Sequence, residues 1–160
     1  MAGPFFVKLT DVDIQSVEEM KAIGAKLGAH LRAGDLILLS GPLGAGKTAF
    51  TQGIASFLGI ENVTSPTFVI SRIHGAGDTG LGLLHIDAYR LQGQDGGALF
   101  DDLDLVDYLA THIAVVEWGE GLVEYLSDQY LEIILGYGAD ENERTLELHG
   151  VGPRWQGFEL

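Results

Sequence analysis

The sequence predicts an α/β fold, a mostly parallel central sheet covered by helices, with antiparallel strands added near the end. Three observations carry that prediction. Two short apolar runs, Leu36–Ser40 and Ile113–Val116, have the composition of buried parallel strands. Stretches with helical spacing lie on both sides of the first run. Tyr130–Leu135 and Thr145–Leu148, about a turn at Gly138–Asn142, have the pattern of a β-pair.

Each element has its own signal. Ser16-Val17-Glu18-Glu19 is a capping-box pattern that opens a helix. Val17, Met20, Ile23, Leu27 and Leu31 follow at helical spacing, and Gly34 is the expected stop. After the strand at Leu36–Ser40 comes a glycine-rich loop, then a helix from about Lys47 to Leu58 closed by Gly59. Phe68–His74 and Leu81–Ile86 flank a glycine-rich stretch, which predicts two strands joined by a turn. Ala98–Leu109 has the spacing of an acidic amphipathic helix, with Leu99, Leu103, Val106 and Leu109 on its apolar side. No repeat, low-complexity tract or linker divides the chain, so residues 1–160 are expected to form one domain.

Composition removes several classes of function. The 160 residues carry 9 basic and 23 acidic side chains, a net charge of −14. Such a chain is repelled by phosphate backbones, which excludes a general nucleic-acid binder. The absence of cysteine excludes a disulfide scaffold, a thiolate metal site and thiol catalysis. The apolar runs fall far short of the roughly 20 residues a membrane helix needs. The start, Met1 to Lys8, lacks the basic-then-apolar order of a signal peptide. A cytoplasmic location without a membrane partner is expected.

The chemistry concentrates in one loop. Gly41-Pro42-Leu43-Gly44-Ala45-Gly46-Lys47-Thr48 fits G-x-x-x-x-G-K-[ST] at every fixed position, between an apolar strand and a helix. Its glycines allow backbone conformations closed to other residues, so successive N–H groups can converge on phosphate oxygens. The helix adds its positive end, Lys47 suits β- and γ-phosphates, and the Thr48 hydroxyl suits magnesium. Gly41, Gly44, Ala45, Gly46, Lys47, Thr48 and Ala49 are the nucleotide-binding candidates, and the fold expectation sharpens to a P-loop NTPase-like three-layer domain. Gly75-x-Gly77-x-x-Gly80 also matches a glycine fingerprint, but it leads into a strand and is read as a hairpin connection.

A phosphate loop of this kind works with an acidic residue at a neighbouring strand end, which holds magnesium or its water. Glu117 ends one apolar run and Asp87 ends another. Either is also explained as a plain strand-end acid. Trp118, directly after Glu117, is read as packing over the sheet edge or as part of the site or an interface. Thr64-Ser65-Pro66-Thr67-Phe68 stands where switch loops occur, with Thr67 facing the γ-phosphate or metal, or is a simple connection.

With His85-Ile86-Asp87-Ala88-Tyr89-Arg90 and Val116-Glu117-Trp118, these motifs resemble, in order, the bacterial TsaE (also called YjeE) ATPases of tRNA threonylcarbamoyladenosine synthesis. The likeness runs from about Val17 to Glu120. It implies ATP and magnesium as ligands, with Thr48 and Glu117 holding the metal. Asp87 would stand beside the γ-phosphate as a catalytic or metal-water ligand, so Lys47, Asp87 and Glu117 are the implied catalytic set. It implies a switch role for Thr67, a site or docking role for Trp118, and a nucleotide contact for Arg144. The implied partners are the TsaB and TsaD subunits. In the family it resembles, TsaD transfers a threonylcarbamoyl group to an anticodon-loop adenosine, which implies that tRNA is met only through that complex. Pro42, Ala88 and Gly119 depart from the family pattern without removing a group the chemistry needs.

Two other functions stay open. A small-molecule kinase usually needs a basic lid, and only Arg90, Arg144 and Arg154 follow residue 80. A nucleotide switch that binds without hydrolysing shares every motif. The base is open too, since no Asn/Thr-Lys-x-Asp guanine motif occurs, and Asp13–Val17 is the candidate base contact. The acidity lies mostly in residues 81–160, with 16 acidic and 3 basic side chains. Its segment 95–107 is either a solvated face or a dock for a basic region of the partner complex.

Overall fold

The computed structural model describes residues 7–61, 63, 71–75, 79–88, 105–119 and 127–160. In chain order the elements are β1 (Val7–Ile14), α1 (Val17–Gly28), β2 (Leu36–Ser40), α2 (Lys47–Phe57), β3 (Ser71–His74) and β4 (Gly82–Asp87). A 3₁₀ turn (Leu105–Ala110), β5 (His112–Glu117), β6 (Tyr130–Tyr137) and β7 (Arg144–Val151) follow. The seven strands form one sheet in the order β1-β7-β6-β2-β5-β4-β3. Its middle is parallel, β2 pairing with both β5 and β6 and β5 with β4. Both flanks are antiparallel: β3 on β4, and β7 between β6 and β1. The α/β expectation holds, a parallel middle with antiparallel strands added on both sides.

β2 is apolar from Leu36 to Leu39 because both of its faces are covered there. Ile37 and Leu39 join the core beneath α1 and α2, while Leu36 and Leu38 join a second cluster on the other face. The same alternation divides β5, with Ile113 and Val115 facing the helices and Ala114 and Val116 facing away. Among the described residues, Tyr108 and Leu109 of the 3₁₀ turn cover the second cluster.

The two helices touch backbone to backbone. A Cβ at Gly53 would lie 2.1 Å from the Lys21 carbonyl oxygen, and one at Gly24 would lie 2.3 Å from that of Phe50. Neither contact is with a side chain that could turn away. Gly53→Ala should therefore force the helices apart and destabilise the fold by about 3 kcal/mol, the upper range for overpacking. Urea unfolding of the variant measures this, and a loss below about 1 kcal/mol would show that the crossing is looser than it looks.

Three expectations need correction. α1 ends at Gly28 rather than running through Leu31 to Gly34. Its final bonds tighten to i→i+3, His30 N–H to Leu27 O at 2.9 Å and Leu31 N–H to Gly28 O at 3.2 Å, which turns the chain out of the helix. Gly34, at φ +89°, instead donates to His112 O at 3.0 Å and ties the turn to β5. The described part of the acidic segment, Leu105–Ala110, is 3₁₀ and not α-helical, and residues 98–104 lie outside the described set. Strand β1 has no counterpart in the sequence reading. The hairpin reading fares better: β3 and β4 pair antiparallel, and Gly80 leads into a strand.

Candidate active site

The phosphate loop leaves the C-terminal end of β2, and the strands beside β2 supply its two flanks. Gly41 sits against β6, where a Cβ would meet Leu135 O at 2.6 Å, so no side chain fits. Gly46, at φ +110°, is the N-cap of α2 and has Met20 of α1 behind it, 2.8 Å from a built Cβ. The two helix starts differ sharply. α1 is closed by its capping box, with Ser16 Oγ accepting from Glu19 N–H at 3.1 Å and Glu19 accepting from Gln15 N–H at 2.7 Å. α2 has no side-chain cap and no acidic residue in its first turn. Its first residue is Lys47, a cation placed where the helix dipole is already positive. An anion at this end offsets both charges.

Lys47 is buried and crosses the loop. Its Nζ donates to Gly41 O at 2.8 Å, stands 3.8 Å from Glu117 Oε1 and lies 4.5 Å from the centre of the Trp118 ring. Asp87 and Glu117 are direct partners at the ends of β4 and β5, so two carboxylates stand side by side at the sheet edge. His85, two residues before Asp87 on the same side of β4, is fully buried and contacts Glu117 Oε2 through Nε2 at 2.6 Å. Its Nδ1 has no hydrogen-bond partner. With Glu117 as the acceptor, the ring proton is assigned to Nε2. One oxygen of Glu117 is thus held by the histidine, and the other faces the lysine.

Trp118 is the one non-glycine residue with a positive φ, 59°, among the described residues. A left-handed backbone at a bulky residue costs about 1–3 kcal/mol and persists where the surroundings enforce it. Here it turns the chain sharply after Glu117 and stacks the indole on Lys47.

These groups enclose a cavity of about 360 Å³, lined by Lys47, Thr48, Ala49, Asp87, Glu117 and Trp118 together with Gly44 and Gly46. A second cavity, about 350 Å³, shares Gly44, Gly46 and Ala49 and continues to Gln15, Ser16, Val17 and Arg144. Of the candidate base contacts Asp13–Val17, the last three therefore line it. Arg144 is held by carbonyls: Glu141 O at 2.7 Å, Glu143 O at 2.9 Å and Gly44 O at 3.3 Å. A larger hollow of about 590 Å³, bordered by Lys21, Gln52 and Glu61, holds none of the predicted residues.

Every predicted site residue within the described set thus lies on or beside the loop. Thr67 and the rest of Thr64–Phe68 lie outside it, as do Tyr89, Arg90 and Asp95–Asp104. Sequence reasoning gave His85 no role, although its period-two spacing from Asp87 puts both on one face of the strand. The donor set suits magnesium. Thr48, Asp87 and Glu117 offer hard oxygens, and this ion is usually held by one or two carboxylates with phosphate and water completing the shell. Among the described residues no three His, Asp or Glu form a closed protein cage.

Residues 14–146 match the family model described as Threonylcarbamoyl adenosine biosynthesis protein TsaE. The chain belongs to the TsaE family. A TsaE relative from Streptomyces coelicolor, named a tRNA threonylcarbamoyladenosine biosynthesis protein, is 48% identical over 141 residues, 85% of this chain and 93% of that protein. A TsaE of the same name from Bacillus subtilis is 38% identical, over 87% of this chain and 84% of its own. The crystal structure of Bacillus subtilis YdiB superposes with a TM-score of 0.75 at 32% identity, covering 94% of this chain and 90% of that one. Among the described residues, no helix is long and apolar enough to cross a membrane.

Proposed function

We propose that this TsaE family member is a magnesium-dependent ATPase that drives the TsaB–TsaD transferase complex in tRNA threonylcarbamoyladenosine synthesis. The observation that carries the reading is Lys47 at the uncapped start of α2, facing a wall made by Asp87 and Glu117. An uncapped helix end with a lysine on it calls for a polyphosphate, and carboxylates opposite call for a metal ion between them. The first cavity receives the phosphates, and the second, on the Gln15–Val17 side, receives the nucleoside.

In this reading Lys47 and the loop N–H groups gather charge on the β- and γ-phosphates. Thr48 and Glu117 would hold magnesium, which when bound would draw charge off the phosphate oxygens. Glu117 keeps one orientation because His85 occupies its second oxygen. Asp87, beside Glu117, orients the attacking water in line with the γ-phosphate. Trp118 shields Lys47 from solvent on the open side. Hydrolysis by the lone chain is slow and rises when partners complete the site.

The test is ATP hydrolysis by the chain alone, then with TsaB, TsaD and substrate tRNA added stepwise. A slow basal rate that climbs on adding both subunits is expected. A rate untouched by the partners would remove the coupling. Many rounds of modification supported by a non-hydrolysable ATP analogue would assign a binding switch instead. Phosphate transfer to a metabolite would assign a kinase.

A further inference from the structure

Two side chains far from the phosphate motif hold the tip of its loop. Tyr137, the last residue of β6, donates its hydroxyl hydrogen to Leu43 O. Arg144, the first residue of β7, donates through Nε to Gly44 O at 3.3 Å. The two are direct partners in the β6–β7 ladder, and the guanidinium stands 5.2 Å from the centre of the Tyr137 ring. Arg144 is braced by the Glu141 and Glu143 carbonyls in the intervening turn, which Gly138 N–H closes on Glu143 O at 2.8 Å. The pair is therefore a unit built by the sheet, and it reaches over to grip two consecutive carbonyls of the loop.

Little else fixes that tip. The Leu43 side chain is 89% exposed and contributes no packing, and Gly44 is a glycine at φ +80° with wide conformational freedom. A loop of this type binds phosphate through N–H groups, and a carbonyl turned inward would set a partial negative charge against an anion. In a trans peptide the C=O and N–H point in opposite directions. Holding Leu43 C=O on Tyr137 therefore directs Gly44 N–H the other way. On the other side of the peptide that Arg144 holds, Ala45 N–H bonds Pro42 O at 3.1 Å, so the same contact steadies the turn of the loop.

We propose that Tyr137 and Arg144 are positioning residues for phosphate binding: they clamp the Leu43 and Gly44 carbonyls outward and keep the loop in its anion-binding shape. The proposal rests on the reading of residues 41–48 as a phosphate loop. It gives Arg144 a role through the backbone of the loop, in place of direct contact with the nucleoside.

The test compares calorimetric affinities for ATP and for inorganic tripolyphosphate, with magnesium present, in wild type, Tyr137→Phe and Arg144→Lys. Tyr137→Phe removes one hydroxyl from a mostly exposed ring, so the fold survives, and the melting temperature should fall by no more than about 5 °C. Both ligands should weaken by the same factor, about three- to tenfold, the worth of one net hydrogen bond. Arg144→Lys should not rescue, because it keeps the charge and loses the Nε donor. Weaker ATP binding with unchanged tripolyphosphate binding would mean contact with the nucleoside and would overturn the clamp. Wild-type affinity in either variant would overturn it too. Failure of the wild type itself to bind either ligand would instead bring down the phosphate-loop reading, and that outcome is visible without any variant.

Discussion

Lys47→Ala is expected to lower partner-stimulated ATP hydrolysis by more than about a hundredfold, the scale seen when one preorganised donor is removed from a site of developing charge. The side chain is buried and held on three sides, by Gly41 O, Glu117 and the Trp118 ring, so it meets a bound phosphate already placed. Its removal also takes away the positive charge that stands 3.8 Å from the Glu117 carboxylate, so the cavity becomes more negative toward the nucleotide. Affinity for ATP should fall together with turnover. Steady-state hydrolysis and calorimetric binding check the two parts. Hydrolysis at the wild-type rate would sink the assigned role, and the ATPase reading with it. Glu117→Ala should abolish turnover in the same assay, through loss of the metal ligand rather than of the phosphate contact.

The second large effect lies at the other end of β2. Asp35, just before that strand, is buried and accepts from Arg154 Nε and Nη2, both at 3.0 Å, and from Arg32 N–H at 2.8 Å. Arg154 is fixed in turn by His30 O at 3.1 Å and stacks over Trp155 at 4.2 Å, while its backbone N–H bonds Gln129 Oε1 at 2.7 Å. Arg154→Ala leaves a buried carboxylate without its cation. Breaking such a pair costs about 3–5 kcal/mol, and the 18% exposure of the arginine places the expectation near the lower end. Urea denaturation should show that loss, while nucleotide affinity of the folded variant stays near wild type, because the phosphate loop leaves the opposite end of the strand. Replacing both partners with apolar residues of similar volume should recover much of the stability. A loss under about 1 kcal/mol for Arg154→Ala would show the pair to be a surface contact in energetic terms.

What could be read from the sequence was local. The loop 41–48 carries its chemistry in eight consecutive residues, and a strand that ends in an acid announces Glu117 and Asp87 without reference to the rest of the chain. The shape of the loop's surroundings could not be read in that way. Tyr137 and Arg144 meet Leu43 and Gly44 only because β6 pairs beside β2, and His85 meets Glu117 only because β4 pairs beside β5. Sheet order is a long-range property, and no spacing in the chain encodes it. β1 offers a weak signal, the alternation Asp11-Val12-Asp13-Ile14, too short to separate from an irregular lead-in to α1. The end of α1 is lost for a different reason. Leu31 keeps a core position after the helix has stopped, so apolar periodicity overruns the hydrogen bonds.

The order β1-β7-β6-β2-β5-β4-β3 also bears on how the chain comes into being. Strand β1 pairs with β7, Val7 opposite Gly150 and far apart in sequence, and β2 waits for both β5 and β6 before its edges are closed. A sheet assembled from such distant segments folds slowly, since each closing step restrains a long loop before any contact rewards it. The N-terminal half presents Leu36–Leu39 as an apolar strand with two open edges throughout that interval, the kind of segment that chaperones hold and that aggregates when they do not. The nucleotide loop, contained in residues 41–48, gains its walls only after Glu117, Trp118 and Arg144, about 70 to 100 residues further on, have been made.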